Sequence, residues 1–100
     1  MIDLKKIQKE IYENKVSKSF NVTNVYEEFC RLSGEVGEAI EAYIKNKDDL
    51  GEELADIVIY ALGIAEITNI DLETELKNKV EINKNRKYKW VNGGYIKDEA

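Results

Sequence analysis

The segment from Ala55 to Ile67 is the feature that most constrains the fold. Every residue in it is hydrophobic except Asp56, Gly63 and Glu66. A helix that is apolar nearly all round must be covered on nearly all sides. Three other short helices in a chain of 100 residues can barely supply that cover. We therefore predict a homo-oligomer, a dimer or tetramer, in which a second subunit packs on this helix. A central core helix in a monomer is the alternative.

Hydrophobic residues elsewhere recur at three- and four-residue intervals, which is the spacing of one face of an α-helix. The longest such stripe consists of Val25, Phe29, Leu32, Val36, Ile40 and Tyr43. The pattern predicts an all-α, four-helix bundle-like protomer in a single domain over residues 1–100. The helices are expected at about 3–14, from Thr23 or Asn24 to about Tyr43, at 50–68 and at about 72–87.

Short polar residues predict the helix ends. Asn24, Asp49 and Asp71 are N-cap candidates, because a short side-chain oxygen can accept a hydrogen bond from a free amide of the first turn. Asn69 can close the third helix. The C-terminal tail, residues 89–100, is broken by two glycines and is left open between an extended arm, a hairpin and no ordered structure.

Charge and residue types exclude several classes of protein. A net charge of -5 argues against nucleic-acid binding, even though residues 84–90 are basic and partly aromatic. There is no apolar run of about 18 residues and no apolar leader, so we expect a cytoplasmic protein without a membrane partner. Histidine is absent and Cys30 is alone, which removes zinc clusters, disulfides and His-based chemistry. Cys30 is expected to be half-buried and structural.

Two pairs of carboxylates have a spacing that suits a shared ion. Glu35 and Glu38 lie in the second helix, and Glu53 and Asp56 lie in the third. Three-residue spacing places both members of a pair on one side of a helix, about one turn apart. Two antiparallel helices can face four carboxylates across a gap, where they would repel unless a multivalent cation neutralised them. Oxygen ligands favour Mg²⁺, with Mn²⁺ as a substitute, over zinc.

Asp56 is the strongest of these candidates. It opens the apolar run from Ile57 to Leu62, and an unpaired carboxylate buried there would cost several kcal/mol. Tyr60 falls within about 60° of Glu53 and Asp56 on the helix, which predicts a phenol beside the ligands. Glu35 and Glu38, taken alone, could equally be ordinary surface charges on a solvent-exposed face of the second helix.

The fourth helix changes character along one face. Leu72 and Leu76 form its apolar stripe, and Lys79, Asn83 and Arg86 continue it. This predicts two cations and an amide that point inward, where they could hold a polyphosphate beside the metal. The alternative is a solvated basic end that complements the helix dipole.

The ordered set of motifs resembles the MazG-like and dCTP-pyrophosphatase-like branch of the all-α NTP pyrophosphatases. Over residues 25–88 the chain carries the motifs Glu-x-x-Glu, Glu-x-x-Asp and Lys-x-x-x-Asn-x-x-Arg. They lie in the segments EVGE, EELADIVIY and KVEINKNRKY, which are close to the family's typical sequences. The resemblance implies the all-α NTP pyrophosphatase fold, an oligomer, and Mg²⁺-dependent hydrolysis of a nucleoside triphosphate to the monophosphate and pyrophosphate. A dNTP is the expected substrate.

The resemblance also implies roles for individual residues. The residues that would bind the metal and act in catalysis are Glu35, Glu38, Glu53 and Asp56. The residues that would bind the substrate are Lys79, Asn83, Arg86 and Tyr60. Some relatives stack aromatic residues on the base, and Phe20 and Phe29 are the candidates here. The alternatives are a phosphoribosyl-ATP pyrophosphatase, which has a related fold and the same reaction type, and a non-catalytic helical assembly module with carboxylates as surface charges.

Overall fold

In the computed structural model, which describes residues 1–98, four α-helices are followed by a β-hairpin. The helices are α1 (Leu4–Ser17), α2 (Val25–Ile44), α3 (Leu50–Ile67) and α4 (Leu72–Asn85), and the strands are β1 (Lys87–Val91) and β2 (Gly94–Asp98). The predicted four-helix, all-α class is confirmed. None of the described helices combines the length and the apolar character needed to cross a membrane.

The helix starts follow the capping chemistry at two of the three predicted positions. The side chains of Asn24 and Asp71 accept hydrogen bonds from the backbone N–H groups of Glu27 and Thr74. The predicted cap of α3 is wrong, because the Asp49 side chain makes no capping bond in the described chain. Asn69 lies just beyond α3 with a φ of 59°, the left-handed conformation with which asparagine ends helices.

The packing centres on α3, which contacts both α2 and α1, while α4 packs on α1. The buried apolar side chains are Ala39, Ala42, Leu62, Ile64 and Ala65. A short turn joins α2 to α3, and Asn46 in that turn takes a φ of 53°. So short a connection makes the two helices antiparallel neighbours. The C-terminal half of α2 therefore faces the N-terminal half of α3.

The single chain leaves much of the predicted apolar surface uncovered. Val36, Ile40 and Tyr43 on α2 are exposed, and so are Leu54 and Val58 on the neighbouring half of α3. These side chains form two stripes on helices that pack on each other. The chain thus does not cover α3 by itself, which is the condition under which we predicted a second subunit.

We expect the protein to sediment as a dimer or larger at micromolar concentration. Val58→Asp should shift it toward the monomer, because a carboxylate would be desolvated in the interface. Val16→Asp is a matched control: Val16 and Val58 are both 52% exposed, and Val16 lies at the far end of α1. A stable 11.5 kDa monomer of the unmodified chain would contradict this prediction.

The tail forms the hairpin that the sequence left open. Asn92 and Gly93 both have positive φ, 49° and 83°, which is the type I′ geometry that matches the twist of paired strands. Trp90 and Tyr95 face each other across the strands with ring centroids 4.9 Å apart. The part of the predicted tail at residues 99–100 lies outside the described residues.

Two expectations about side-chain placement are wrong. Within residues 1–98 no residue of α4 is buried, and Leu76 is 50% exposed, so the α4 stripe does not point into a core of this chain. Within residues 1–98 the main packing partner of α4 is α1. Cys30 is exposed and not half-buried.

Candidate active site

Three of the four predicted carboxylates lie together. Glu35 and Glu38 on α2 and Glu53 on α3 each offer an oxygen, and these oxygens all lie within 4.8 Å of one another. The antiparallel α2–α3 pair brings them into register across the short turn. Glu35 and Glu53 are half-buried and Glu38 is exposed. The cluster therefore has a closed side and an open side.

Asp56 lies beside this cluster rather than within it. It is half-buried on the next turn of α3 after Glu53, and it lines the same cleft as Glu35. Its charge is close enough to contribute to the raised pKa of both Glu35 and Glu53. The structure thus brings all four predicted carboxylates into one electrostatic site.

Burial and mutual repulsion raise the pKa of the inner carboxylates. Burial is the largest cause of the raised pKa of Glu35, followed by a hydrogen bond and repulsion from Glu38. Burial is also the largest cause of the raised pKa of Glu53, followed by repulsion from Glu38, Asp49 and Asp56. A raised pKa favours the protonated form in the folded chain. The carboxyl groups of Glu35 and Glu53 therefore stabilise the folded chain at a pH below their ordinary pKa of 4.5. That stabilisation is lost as the pH rises through their raised pKa values.

The arrangement fits a hard divalent cation. The Oε2 atoms of Glu35 and Glu53 are buried and have no hydrogen-bond partner within residues 1–98. Buried carboxylate oxygens normally have a partner, and a bound cation would supply it. An all-oxygen set without histidine or cysteine selects Mg²⁺ or Mn²⁺ rather than zinc. The residues present therefore suit such an ion.

Asp49 is a member of the site that the sequence analysis assigned to capping instead. Its Oδ1 atom is buried without a hydrogen-bond partner in the described chain, and its charge raises the pKa of Glu53. Asp49, Glu53 and Asp56 are spaced four and then three residues apart, so they share one face of α3. That spacing is the signal that could have revealed Asp49.

A cleft of about 430 Å³ opens beside the carboxylates, within the size range of small-molecule sites. Glu35 and Asp56 line one end of it, and Tyr60 lies in its wall. The remaining wall is formed by α1, the loop after it, α2 and α3. Its apolar or uncharged part consists of Ile7, Ile11, Phe20, Ile59 and Gly63, and its polar part of Glu10, Asn14, Lys15 and Glu28. Of the two aromatic candidates, Phe20 lines the cleft and Phe29 does not, although both side chains are about half exposed.

The cations predicted from α4 lie elsewhere. Lys79 and Asn83 are exposed, and Arg86 is half-buried where α4 meets the hairpin, in a separate depression shared with Lys97. None of the three belongs to the described residues that line the carboxylate cleft. The cation that does line it is Lys15 of α1, which the sequence analysis did not single out.

Comparison with known proteins gives a family match and a structural match. The sequence model of the MazG nucleotide pyrophosphohydrolase domain matches residues 23–90. Among solved structures, the fold is similar to that of a cyanophage S-2L MazG-like pyrophosphohydrolase bound to dGDP and three catalytic Mn²⁺ ions per active site. The TM-score is 0.72 at 21% identity over 98% of this chain and 99% of that chain. Among curated proteins no match is found. The matched domain shows that this chain belongs to the MazG nucleotide pyrophosphohydrolase family, hydrolases that act on phosphoric anhydrides.

Proposed function

We propose that the chain hydrolyses a deoxynucleoside triphosphate to the monophosphate and pyrophosphate, with Mg²⁺ held by Glu35, Glu38, Glu53 and Asp56. One observation carries the proposal: Glu35, whose Oε2 atom is buried without a hydrogen-bond partner within residues 1–98, lines one end of a nucleotide-sized cleft. The similar cyanophage enzyme binds a deoxynucleotide and Mn²⁺, which supports the deoxyribose form and a divalent ion.

The chain's own groups would divide the work of the reaction. Glu35 and Glu53 would hold divalent ions from the closed side of the cluster, and those ions would supply Lewis acidity and lower the pKa of bound water. Water attacks the α-phosphorus, the bond to the bridging oxygen breaks, and pyrophosphate leaves. An exposed carboxylate, Glu38 or Glu52, accepts the proton of the attacking water.

In this proposal Lys79, Asn83 and Arg86 hold phosphates of a nucleotide bound to a neighbouring subunit. Two of them are exposed on α4 and none lines the cleft of its own chain. The uncovered stripes on α2 and α3 favour an oligomer. In such an assembly an exposed cationic face can meet the acidic cleft of a second copy. Oppositely charged surfaces brought together in this way steer and hold an anionic ligand between them.

Pyrophosphate release from a panel of nucleotides tests the proposal. The panel contains the four dNTPs, the four NTPs and phosphoribosyl-ATP, each assayed with Mg²⁺ and with a chelator. We expect Mg²⁺-dependent release that is fastest for a dNTP. Faster turnover of phosphoribosyl-ATP would select that alternative activity. No release from any compound would select the non-catalytic assembly module.

Divalent ions should also stabilise the protein without any substrate. Binding to the folded state alone at tenfold excess over the Kd is worth about 1.4 kcal/mol, or a Tm increase of about 5–10 °C for a chain of this size. The Tm would be measured with MgCl₂, with MnCl₂ and with NaCl at equal ionic strength. An equal Tm in all three salts would contradict the metal site.

A further inference from the structure

A buried ion pair lies in the wall of the cleft and has no role in the function proposed so far. Glu28 is 1% exposed and is the largest fully buried side chain. It forms an ion pair with Lys15, whose side chain is 12% exposed, and Asn21 Nδ2 donates to its other oxygen at 3.0 Å. Burying two charges opposes folding, and apolar residues of similar volume often pack at least as well. Packing alone therefore does not account for the pair.

The pair lies at the end of the cleft remote from the metal cluster. Glu28 precedes Glu35 by seven residues on α2, which is two turns, or about 10 Å, along one helix face. Gly63 follows Asp56 by the same interval on α3, and the Lys15 stem passes Gly63, with its Cδ atom 3.9 Å from where a Cβ would lie. Ten ångströms is comparable to the span between the α-phosphate of a nucleotide and the far edge of its base.

The surroundings of the pair suit a base. The wall of the cleft includes the apolar side chains of Ile11, Phe20 and Ile59, which can pack on the faces of a flat ring. Lys15 Nζ lies 5.8 Å from the Tyr60 ring centroid. A second depression, on the loop side, is also lined by Lys15, Phe20 and Glu28. Lys15 therefore lines both depressions, at the end of the cleft where the edge of a base would lie.

The chemistry of the pair favours one class of base. An ammonium group has three donors and no acceptor, and in the described chain Glu28 is the one hydrogen-bond partner of Lys15 Nζ. The remaining donors suit a ring carbonyl oxygen, as in the lysine contacts made to guanine O6 and N7. Guanine, thymine and uracil carry a carbonyl where adenine and cytosine carry an amino group. An amino group would turn its own donors toward the ammonium.

We propose that Lys15, positioned by Glu28 and Asn21, determines base specificity and selects keto bases (guanine, thymine, uracil) over amino bases. This inference rests on the proposed function, because it places the phosphates at the carboxylate cluster. It adds to that function the class of nucleotide that the site prefers.

The test is the ratio of kcat/KM for dGTP and dTTP to kcat/KM for dATP and dCTP. We expect a ratio of about ten or more in the unmodified protein, and a collapse of the ratio by about tenfold in Lys15→Met, which keeps the aliphatic stem and removes the donors. Lys6→Met, an exposed lysine on the same helix, should leave the ratio unchanged. A ratio taken within one preparation does not depend on the fraction of folded enzyme.

Three results would overturn the inference. These are a ratio near one in the unmodified protein, an equal loss on all four substrates in Lys15→Met, and no change in that variant. The equal loss would assign Lys15 to the phosphates or to folding. Should Lys15→Met fail to fold, its combination with Glu28→Gln removes both charges and gives the same readout.

The proposed function can fail separately from this inference. If no nucleotide is hydrolysed, calorimetric binding of dGMP, dTMP, dAMP and dCMP with Mg²⁺ still decides the matter. Tighter binding of the two keto monophosphates supports the inference, and equal binding or no binding overturns it.

Discussion

Glu53→Gln is expected to reduce pyrophosphate release by about a thousandfold or more while leaving the helices intact. The change removes one negative charge from the cluster that it shares with Glu35 and Glu38. Loss of a metal-held transition state is worth several kcal/mol, and each 1.36 kcal/mol is tenfold in rate. Shape is conserved, so the α2–α3 packing should persist.

Glu53→Gln should lower the activity but should not lower the stability of the metal-free protein. Burial and repulsion from neighbouring carboxylates raise the pKa of Glu53, so its ionised form opposes folding near neutral pH. An uncharged glutamine relieves that repulsion. We therefore expect the metal-free Tm of Glu53→Gln to equal or exceed that of the unmodified protein, and its increase with Mg²⁺ to shrink. Simple misfolding would lower both values.

Glu52→Gln is the matched control for the response to Mg²⁺, and it also tests Glu52 as the proton acceptor. Glu52 is the preceding residue, is exposed, and is not one of the three clustered carboxylates. Its variant should keep its response to Mg²⁺, and full activity would leave Glu38 as the proton acceptor. Full activity in Glu53→Gln itself, measured as kcat/KM on the best dNTP, would show that the metal assignment is wrong.

The carboxylate site could be predicted because its parts depend on local periodicity and one short turn. Three-residue spacing set Glu35 beside Glu38, and the antiparallel α2–α3 connection brought Glu53 opposite them. Asp49 was not predicted as a member of the site, for a physical reason. A residue at a helix start suits a cap equally well, and only the packing around it decides that its oxygen is buried and unpartnered instead.

The cleft beyond the carboxylates could not be predicted from spacing. Lys15 meets Glu28 across the loop between α1 and α2, and no helical interval relates them. The helix α1 also runs on to Ser17, about one turn beyond its expected end at Asn14. That extra turn is what carries Lys15 onto α3. Contacts of this kind depend on the path of a loop, which composition and periodicity do not specify.

The orientation of α4 was predicted wrongly because its apolar stripe is short. Leu72 and Leu76 suggested an inward face, yet the helix is held to α1 largely by polar contacts near its start. Glu73 Oε1 accepts a bond from the Leu4 backbone at 3.2 Å, and Asp71 pairs with Lys5 at 3.2 Å. A helix anchored at one end can leave the rest of its face exposed. We propose that this exposed face meets a second subunit.

Lys79→Ala and Arg86→Ala are expected to lower kcat/KM about tenfold to a hundredfold, because each removes a charge-assisted contact to phosphate. Asn83→Ala should be damaging too, through loss of an oriented amide. Lys84→Ala is the control: Lys84 is exposed on the same helix and pairs only with Glu81 at 3.4 Å, a surface contact of little energetic value. Equal, small effects in all four variants would show that Lys79, Asn83 and Arg86 are ordinary surface residues with no role in binding phosphate.

Mixing two variants that are each impaired shows which subunit supplies these residues. If Lys79 acts across the interface, a hybrid dimer of Glu53→Gln and Lys79→Ala subunits has one cleft with an intact carboxylate cluster and an intact lysine from its partner. Random re-association should then restore about a quarter of the unmodified activity, since about half of the dimers are hybrids and each has one working site. If Lys79 serves its own chain's cleft, every site in the hybrid keeps one defect. Mixing would then restore nothing, and the placement of this face against a partner's cleft would be wrong.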